Sequence, residues 1–485
     1  MHATLNLLGR QFQFGYDAVK STKKRTTPPT TQKSEDDILN RSDRRTLVAT
    51  AADANRNFSL VAWMVRNHVD YVARFGFQAR TSSKRLNARI ESLMKWWMRP
   101  ENSDAARRHH FLDQIPLLEN MRVLQGDSGL LKLRAGQVQG IEGERVRKPT
   151  MGRLPGNLDT TVSDHGLLLD NLGAVEKYVI CKRNGTDLVY DKVANAEDMA
   201  WCGYFTRFDQ TRGVSPLASA LNSLADLYEG FDYTLIKMKV HALFGVAIMR
   251  QAQQANGSDF RNLDYDDGAA PDTSTVRYKY ELKPGLKLEL QPGDDIKTIE
   301  SHTPSDEWLQ ASQYLAQIAM LALDIPYTFF DARASSFSAA GADVNRYVKS
   351  VEGKQRGLVA VLQNVTEWKL RQWITAGLID QSLLGNRKLT DIAYEWRPKG
   401  APWIEREAQV KADMALIGIG AKTHNQVCLE HGTDYFENVD EIKIERAYAK
   451  KQGVPLIEAL PGQTTTEDAQ PAGPPASTGS NDDDE

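Results

Sequence analysis

The stretch from Thr206 to Gly245, TRFDQTRGVSPLASALNSLADLYEGFDYTLIKMKVHALFG, constrains the fold more than any other part of the chain. Ser215-Pro216 supplies a helix N-cap followed by the one helical position that tolerates proline. Apolar residues then recur at Leu217, Leu221, Leu224, Tyr228, Phe231, Leu235, Met238 and Ala242. Their steps alternate between four and three, which is a heptad seam sustained for about four heptads. Such a seam packs against another long helix, in its own chain or in a neighbouring subunit. A helix buried in the chain's own core has the same periodicity.

With 485 residues the chain can hold two to four domains and bury a large core. Its apolar runs fall far short of the roughly 18 residues a membrane span needs, so no membrane role is expected. No N-terminal segment has the make-up of a secretion signal. Cys181, Cys202 and Cys428 are isolated and odd in number, the pattern of structural thiols rather than a disulfide framework. The net charge of −3 argues against a surface that grips duplex DNA all over, because phosphate binding calls for a basic excess.

Residues 1–43, basic and rich in Thr and Pro, are expected to form a mobile arm. Helical spacing runs from Arg44 to Arg80, from Leu86 to Met98 and from Phe111 to Gly126. Alternation about Tyr178 and Ile180, a tight turn at Asn184-Gly185, and renewed alternation at Leu188 and Tyr190 predict a hairpin. A polar loop is expected over 252–274, then two strands around Pro284-Gly285. Ser305 caps a helix with an apolar face of Trp308, Ala311, Leu315, Ile318, Ala319 and Ala322, which stops before Ile325-Pro326. The small residues after Phe330 predict a loop. A long helix follows from Asp343 towards Ala376, with a bend at Gly353 and Gly357. Two or three short helices are expected between Trp403 and Ala447, and disorder beyond Leu460.

No catalytic constellation is evident. Gly418-Ile419-Gly420-Ala421-Lys422-Thr423 lacks the glycine spacing of a phosphate loop, and reads as a helix end followed by a new helix. There is no HExxH or CxxC spacing, and the adjacent His109-His110 do not share a helix face. Gly213-Val214-Ser215-Pro216-Leu217 lacks the second glycine of a nucleophile elbow. The expectation is a non-enzymatic protein without cofactor or metal.

Four segments resemble the lambda family of phage portal proteins: RGVSPLASAL, KLELQPGDDIKTIESHTPSDEWLQASQYLAQIAMLALDIPYTFF, SSFSAAGADVNRYV, and the block from Tyr394 to Leu456. Glu405-Arg406 and Gly341-Ala342 depart from the family pattern. The resemblance implies a mainly helical α+β fold with a wing, a two-helix stem, a small α/β clip, a tunnel loop and a helical crown. It puts the wing at 44–214, the first wing/stem helix at 215–245 and the clip at 246–304. The second stem helix falls at 305–323, the tunnel loop at 324–342, the long wing helix and a strand at 343–402, the crown at 403–455 and a tail at 456–485. Arg333, Ser335, Ser336, Phe337 and Ser338 are the implied DNA-facing tunnel residues. Leu221, Leu224, Tyr228, Phe231, Leu235 and Met238 form the packing seam. The implied assembly is a homo-oligomeric ring of about twelve subunits at one capsid vertex. Its implied partners are double-stranded DNA, the terminase ATPase, capsid and scaffold proteins and a head–tail adaptor. Ten acidic against six basic residues over 252–303 would repel DNA at the clip. Another head–tail connector ring is the alternative, and a nucleotide-dependent DNA-processing enzyme a more distant one.

Overall fold

The computed structural model describes residues 4–7, 10–13, 31, 33–156, 158–243, 246–250, 294–298, 304–331, 333, 337–379, 392–399 and 406–454. The chain divides into two units, Met1–Pro398 and Lys399–Glu485.

The first unit begins with an antiparallel hairpin, β1 (Thr4–Leu7) and β2 (Arg10–Gln13). Helix α1 (Glu35–Ile38) is capped by Ser34, so structure starts inside the stretch expected to be an arm. Asn40 caps α2 (Arg41–Asn57), and α3 (Ser59–Val72) follows after a break at Phe58. Phe58 is extended because its ring packs edge-on against Tyr228, with centroids 5.3 Å apart. The helical spacing read from Arg44 to Arg80 is thus two helices, and its end is a strand, β3 (Phe75–Ala79). Then come α4 (Lys84–Trp97), α5 (Pro100–Ser103) and α6 (Phe111–Gln125), where the His110 ring serves as N-cap and Gly126 ends the helix.

The β-rich part comprises β4 (Asp127–Lys132), β5 (Val138–Glu142), α7 (Leu158–Thr161), β6 (Leu167–Leu169), β7 (Val175–Asn184), β8 (Asp187–Asn195) and β9 (Met199–Gly203). Two three-stranded antiparallel sheets result, ordered β5-β4-β9 and β6-β7-β8. The expected hairpin is β7–β8, turning at Gly185 with φ +62°. Leu131, Ile141, Tyr178, Ile180 and Met199 form a core between these sheets.

The long helix α8 (Leu221–Leu243) follows a single 3-10 segment, Pro216–Ser219, that Ser215 caps. Strands β10 (Val246–Arg250) and β11 (Asp294–Thr298) pair antiparallel. The strands expected around Pro284-Gly285 and the 252–274 loop lie outside the described residues. Helix α9 (Asp306–Met320) is capped by Ser305, as the sequence suggests, and closes with a 3-10 turn over Leu321–Leu323. Its buried face differs from the expected one. Ser312, Ala316, Ala319 and Met320 point inward, whereas Ala311 and Ile318 are exposed and Trp308 and Leu315 half-buried. Small side chains let the helix approach its neighbours closely, which turns the bulkier apolar groups outward.

Helix α10 (Phe337–Thr375) begins six residues before Asp343, because the alanines around Gly341 extend the helix towards its N-terminus. It runs as one continuous helix through Gly353 and Gly357. Gly357 has a packing role: a Cβ there would stand 2.7 Å from Arg122 Nη1. Strand β12 (Tyr394–Pro398) returns to pair with β3, setting Trp396 opposite Phe77. The main core gathers α2, α3, α4, α6, α9, α10 and this two-stranded sheet. Among the described residues no helix is long and apolar enough to cross a membrane.

The second unit holds α11 (Arg406–Gly418), α12 (His424–Glu430) and α13 (Tyr435–Gln452). Gly420, with φ +74°, ends the first, and Thr423 and Gln426 form a reciprocal cap on the second. The segment expected to be a helix end followed by a new helix has that structure.

Candidate functional site

The turn Arg212-Gly213 fixes where the long helix starts. Asp127, at the start of β4, has no exposed surface and accepts four hydrogen bonds. Arg212 Nε reaches Oδ2 at 2.7 Å and Arg212 Nη2 reaches Oδ1 at 2.8 Å, a bidentate fork. Arg44 Nη2 on α2 donates to Oδ1 at 3.0 Å, and the Gly213 amide donates to Oδ2 at 2.9 Å. Burial opposes ionisation of Asp127, yet Arg212 and Arg44 outweigh it and hold the carboxyl below its ordinary range. Burial, reinforced by Arg212, pulls Arg44 down to about 10.

Backbone geometry completes this anchor. Arg44 Nη1 donates to Gly213 O at 2.7 Å, and Ser215 Oγ donates to Val123 O at 2.7 Å. Gly126 and Gly213 meet back to back, since a Cβ on Gly126 would stand 2.3 Å from Gly213 O. A second buried set lies alongside. Tyr204 OH donates to Glu119 Oε1 at 2.6 Å, His68 Nε2 lies 3.0 Å from the same oxygen, and Arg122 Nη2 stands 2.7 Å from Oε2. Burial favours a neutral His68, whose pKa is lowered. Sequence reading missed both clusters, because their members come from segments far apart in the chain. The Arg-Gly pair directly before the N-cap was the available signal.

The seam splits into two halves. Leu217, Leu221 and Leu224 are buried in the main core. Tyr228, Phe231, Leu235 and Met238 are 41–52% exposed, and Leu227 takes the buried position beside Tyr228. The reason is the reach of α9. Trp308, in its first turn, lies over Gly230, where a Cβ would come within 2.0 Å of Cη2, and it meets Phe231 edge-on at 6.1 Å. The nine residues from Phe231 to Lys239 extend roughly 14 Å further, and among the described residues no helix covers them. Tyr233 and Ile236 add to the exposed apolar surface there, and Leu309, Tyr314 and Ile318 on α9 are exposed as well.

The tunnel candidates are only partly brought together. Arg333 is exposed, and Asp331 holds it through Nε to Oδ1 at 3.0 Å and Nη2 to Oδ2 at 3.2 Å. Phe337 and Ser338, expected in a loop, are the first two residues of α10. Ser335 and Ser336 lie outside the described residues. Asp324, with φ 61°, ends the turn after α9, and its Oδ2 ties to Lys354 and Ser350 at 2.8 and 2.6 Å. This joins the foot of α9 to α10 on either side of the candidate segment.

Elsewhere, Lys422 of the phosphate-loop-like segment pairs with Asp413 at 3.2 Å and Glu430 at 2.8 Å. The three cysteines are free, with Cys181 and Cys202 buried and Cys428 half-buried. No group of three or more His, Cys, Asp or Glu residues is placed to hold a metal among the described residues.

The model of the phage portal proteins of the lambda family matches residues 20–355. The chain belongs to this family. Portal proteins of the lambda family are structural parts of a virion's head–tail connector, and this chain has that role. The matched region contains both seam helices and the start of α10. Among solved structures, a chain from the neck of an empty GTA particle computed with C6 symmetry is similar at 16% identity and a TM-score of 0.48. That likeness covers 81% of this chain and 94% of the other. Chains from the virion of a native gene transfer agent particle and from its neck computed with C12 symmetry give TM-scores of 0.43 and 0.44. Each is 16% identical and covers 81% of this chain, with 93% and 94% of the other chain covered. The family assignment rests on the sequence match. No curated protein matches the chain.

Proposed function

We propose that this portal protein closes into a ring of about twelve subunits at one capsid vertex, through which double-stranded DNA passes in packaging and ejection. A terminase ATPase docks on the ring during packaging, a head–tail adaptor replaces it later, and capsid and scaffold proteins hold the rim. In this reading α8 and α9 are the stem, the segment bracketed by β10 and β11 is the clip, and the second unit is the crown. In the same reading Arg333, Ser335, Ser336, Phe337 and Ser338 stand at the constriction, with Phe337 as the contact most able to grip DNA.

The observation that carries the proposal is the half-exposed apolar stripe on α8. Tyr228, Phe231, Leu235 and Met238 lie on one face of a helix anchored at its other end by a buried ionic cluster. Monomeric proteins seldom expose a contiguous apolar stripe of this kind, and a ring of head-to-tail contacts would cover it. Leu235→Asp is the test. Leu235 is half exposed in the single chain, so the variant folds with unchanged circular dichroism. Within a ring the same carboxylate would be buried at a cost of several kcal/mol per interface. Native mass spectrometry should show rings for the natural protein and single chains for the variant. Rings of normal size from Leu235→Asp would remove the stripe from the interface.

A further inference from the structure

A cavity of about 380 Å³ opens between the first turns of α2, the segment after β5 and the β7–β8 turn. Six arginines line it, and they fall into two groups. Arg44 and Arg212 form the floor and are satisfied by Asp127 and by backbone carbonyls. Arg183 pairs with Glu142 and Glu144. Among the described residues, the other three, Arg41, Arg45 and Arg147, have no carboxylate within ion-pair distance.

The acidic residues of the lining are already engaged. Glu144 holds Arg183, Asp164 faces Lys148 at 3.4 Å, and Asp187 accepts the Thr150 hydroxyl at 3.2 Å. Arg41 spends one nitrogen on Pro149 O at 2.7 Å. Arg147 is half-buried, and its Nε is closed off from solvent without any acceptor. A buried donor left unmade costs about 1–3 kcal/mol, and three guanidinium groups gathered around one hollow repel one another. Burial, then Arg41 and Arg45, hold Arg147 below the ordinary arginine range. The hollow is therefore short of an anion.

Shape and lining decide what kind of anion. Val48, Ala49, Val146 and Leu188 share the walls with the arginines. A duplex is a convex rod whose phosphates would touch only the rim of such a hollow. A carboxylate at the end of an aliphatic stem fits both kinds of wall, with methylenes against the apolar side chains and oxygens on the guanidinium forks. We propose that this pocket docks an acidic peptide segment of another protein in the particle, with Arg41, Arg45 and Arg147 as its carboxylate contacts. The proposal stands apart from ring closure, for which the α8 stripe is the assigned surface. The floor of the pocket is the Arg44–Arg212 pair that grips the Gly213 turn, so an occupied pocket would stiffen the root of α8.

A fluorescein-labelled peptide of six alternating Glu and Ala residues is titrated with the full chain and read by anisotropy. Binding should be saturable and weaken as salt rises. It should weaken at least about tenfold in the double variant Arg45→Gln, Arg147→Gln, which loses charge-assisted contacts. The Gln/Ala peptide of equal length should not bind. The circular dichroism and ring size of the variant should match the natural protein, since Arg45 is exposed and neither side chain holds another in place. Three results would overturn the proposal. They are absence of saturable peptide binding, a single-stranded oligonucleotide or inorganic phosphate that displaces the peptide with the same arginine dependence, and loss of rings in the double variant. The second would make the hollow a phosphate site, and the third would make it a contact between copies of this chain.

Discussion

Asp127→Asn tests whether the ionic cluster before α8 is what anchors that helix. The substitution keeps shape and removes one charge. Asn retains a single acceptor oxygen where the carboxylate offers two, so two of the four donors lose their partner and face an NH2 group. Two arginines also remain buried beside a neutral side chain. At an effective dielectric constant near 20, each charge pair at this separation represents about 4 kcal/mol of gross attraction. Much of that offsets desolvation, and the net loss on breaking a buried pair from one side is about 3–5 kcal/mol. For a unit of this size a melting temperature moves by about 1–2 °C per kcal/mol, which gives a drop of about 3–10 °C. Scanning calorimetry at fixed protein concentration and neutral pH measures it. Hydrogen exchange locates it, because the Gly213 amide is bonded to the carboxylate and Leu217 N–H to Ser215 Oγ. Protection should fall first at Gly213–Leu217. The folded carboxyl titrates below its unfolded value, so its contribution is present above the ordinary carboxyl range and fades as pH falls through the folded value. Natural protein and variant should therefore converge in strong acid. A melt within about 1 °C of the natural protein, with unchanged exchange at Gly213, would refute the reasoning.

Three further outcomes follow from the geometry. Gly230→Ala should destabilise the chain by about 1–3 kcal/mol in urea titrations because its Cβ collides with Trp308, whereas helix propensity alone predicts a gain of about 1 kcal/mol, so the sign decides. Lys369 is enclosed by Trp97, Trp368 and Trp373, and burial lowers its pKa to about 8. Between about pH 8 and its ordinary value of 10.5 the unfolded chain holds the extra proton, so the natural protein should gain stability relative to Lys369→Met across that window, and a constant difference from pH 7 to 10 would refute this. Phe337→Ala should leave rings intact while altering DNA packaging or retention, and full packaging by a chain lacking residues 335–339 would move the constriction elsewhere.

What the sequence made legible is what repeats along a single helix or strand. The Ser215 and Ser305 caps, the hairpin at Gly185 and the break before Pro326 are local chemistry, and each is where the residues put it. The start of α10 was misplaced because a loop was inferred from small residues, and alanine favours a helix as much as it suits a loop. The buried face of α9 was misread for a related reason. Apolarity marks what prefers to leave water, but the size of the neighbouring surface decides which side turns inward, and there Ser312 and Ala316 outrank Ile318.

The candidate site divides along the same line. The seam was visible as a period, yet the period is silent on its partner. Only the position of Trp308 over Gly230 shows that, among the described residues, α9 stops covering α8 midway. Gly230, a glycine among good helix formers, sits at that close approach, but the sequence reading did not single it out. The Asp127 cluster had no such local mark, because Arg44, Asp127 and Arg212 meet only through the fold. Yet that cluster gives the exposed stripe its meaning. An apolar helix end that is free to move would collapse onto its own chain. One fixed at its root by buried charges has to keep its apolar face turned outward until another surface covers it.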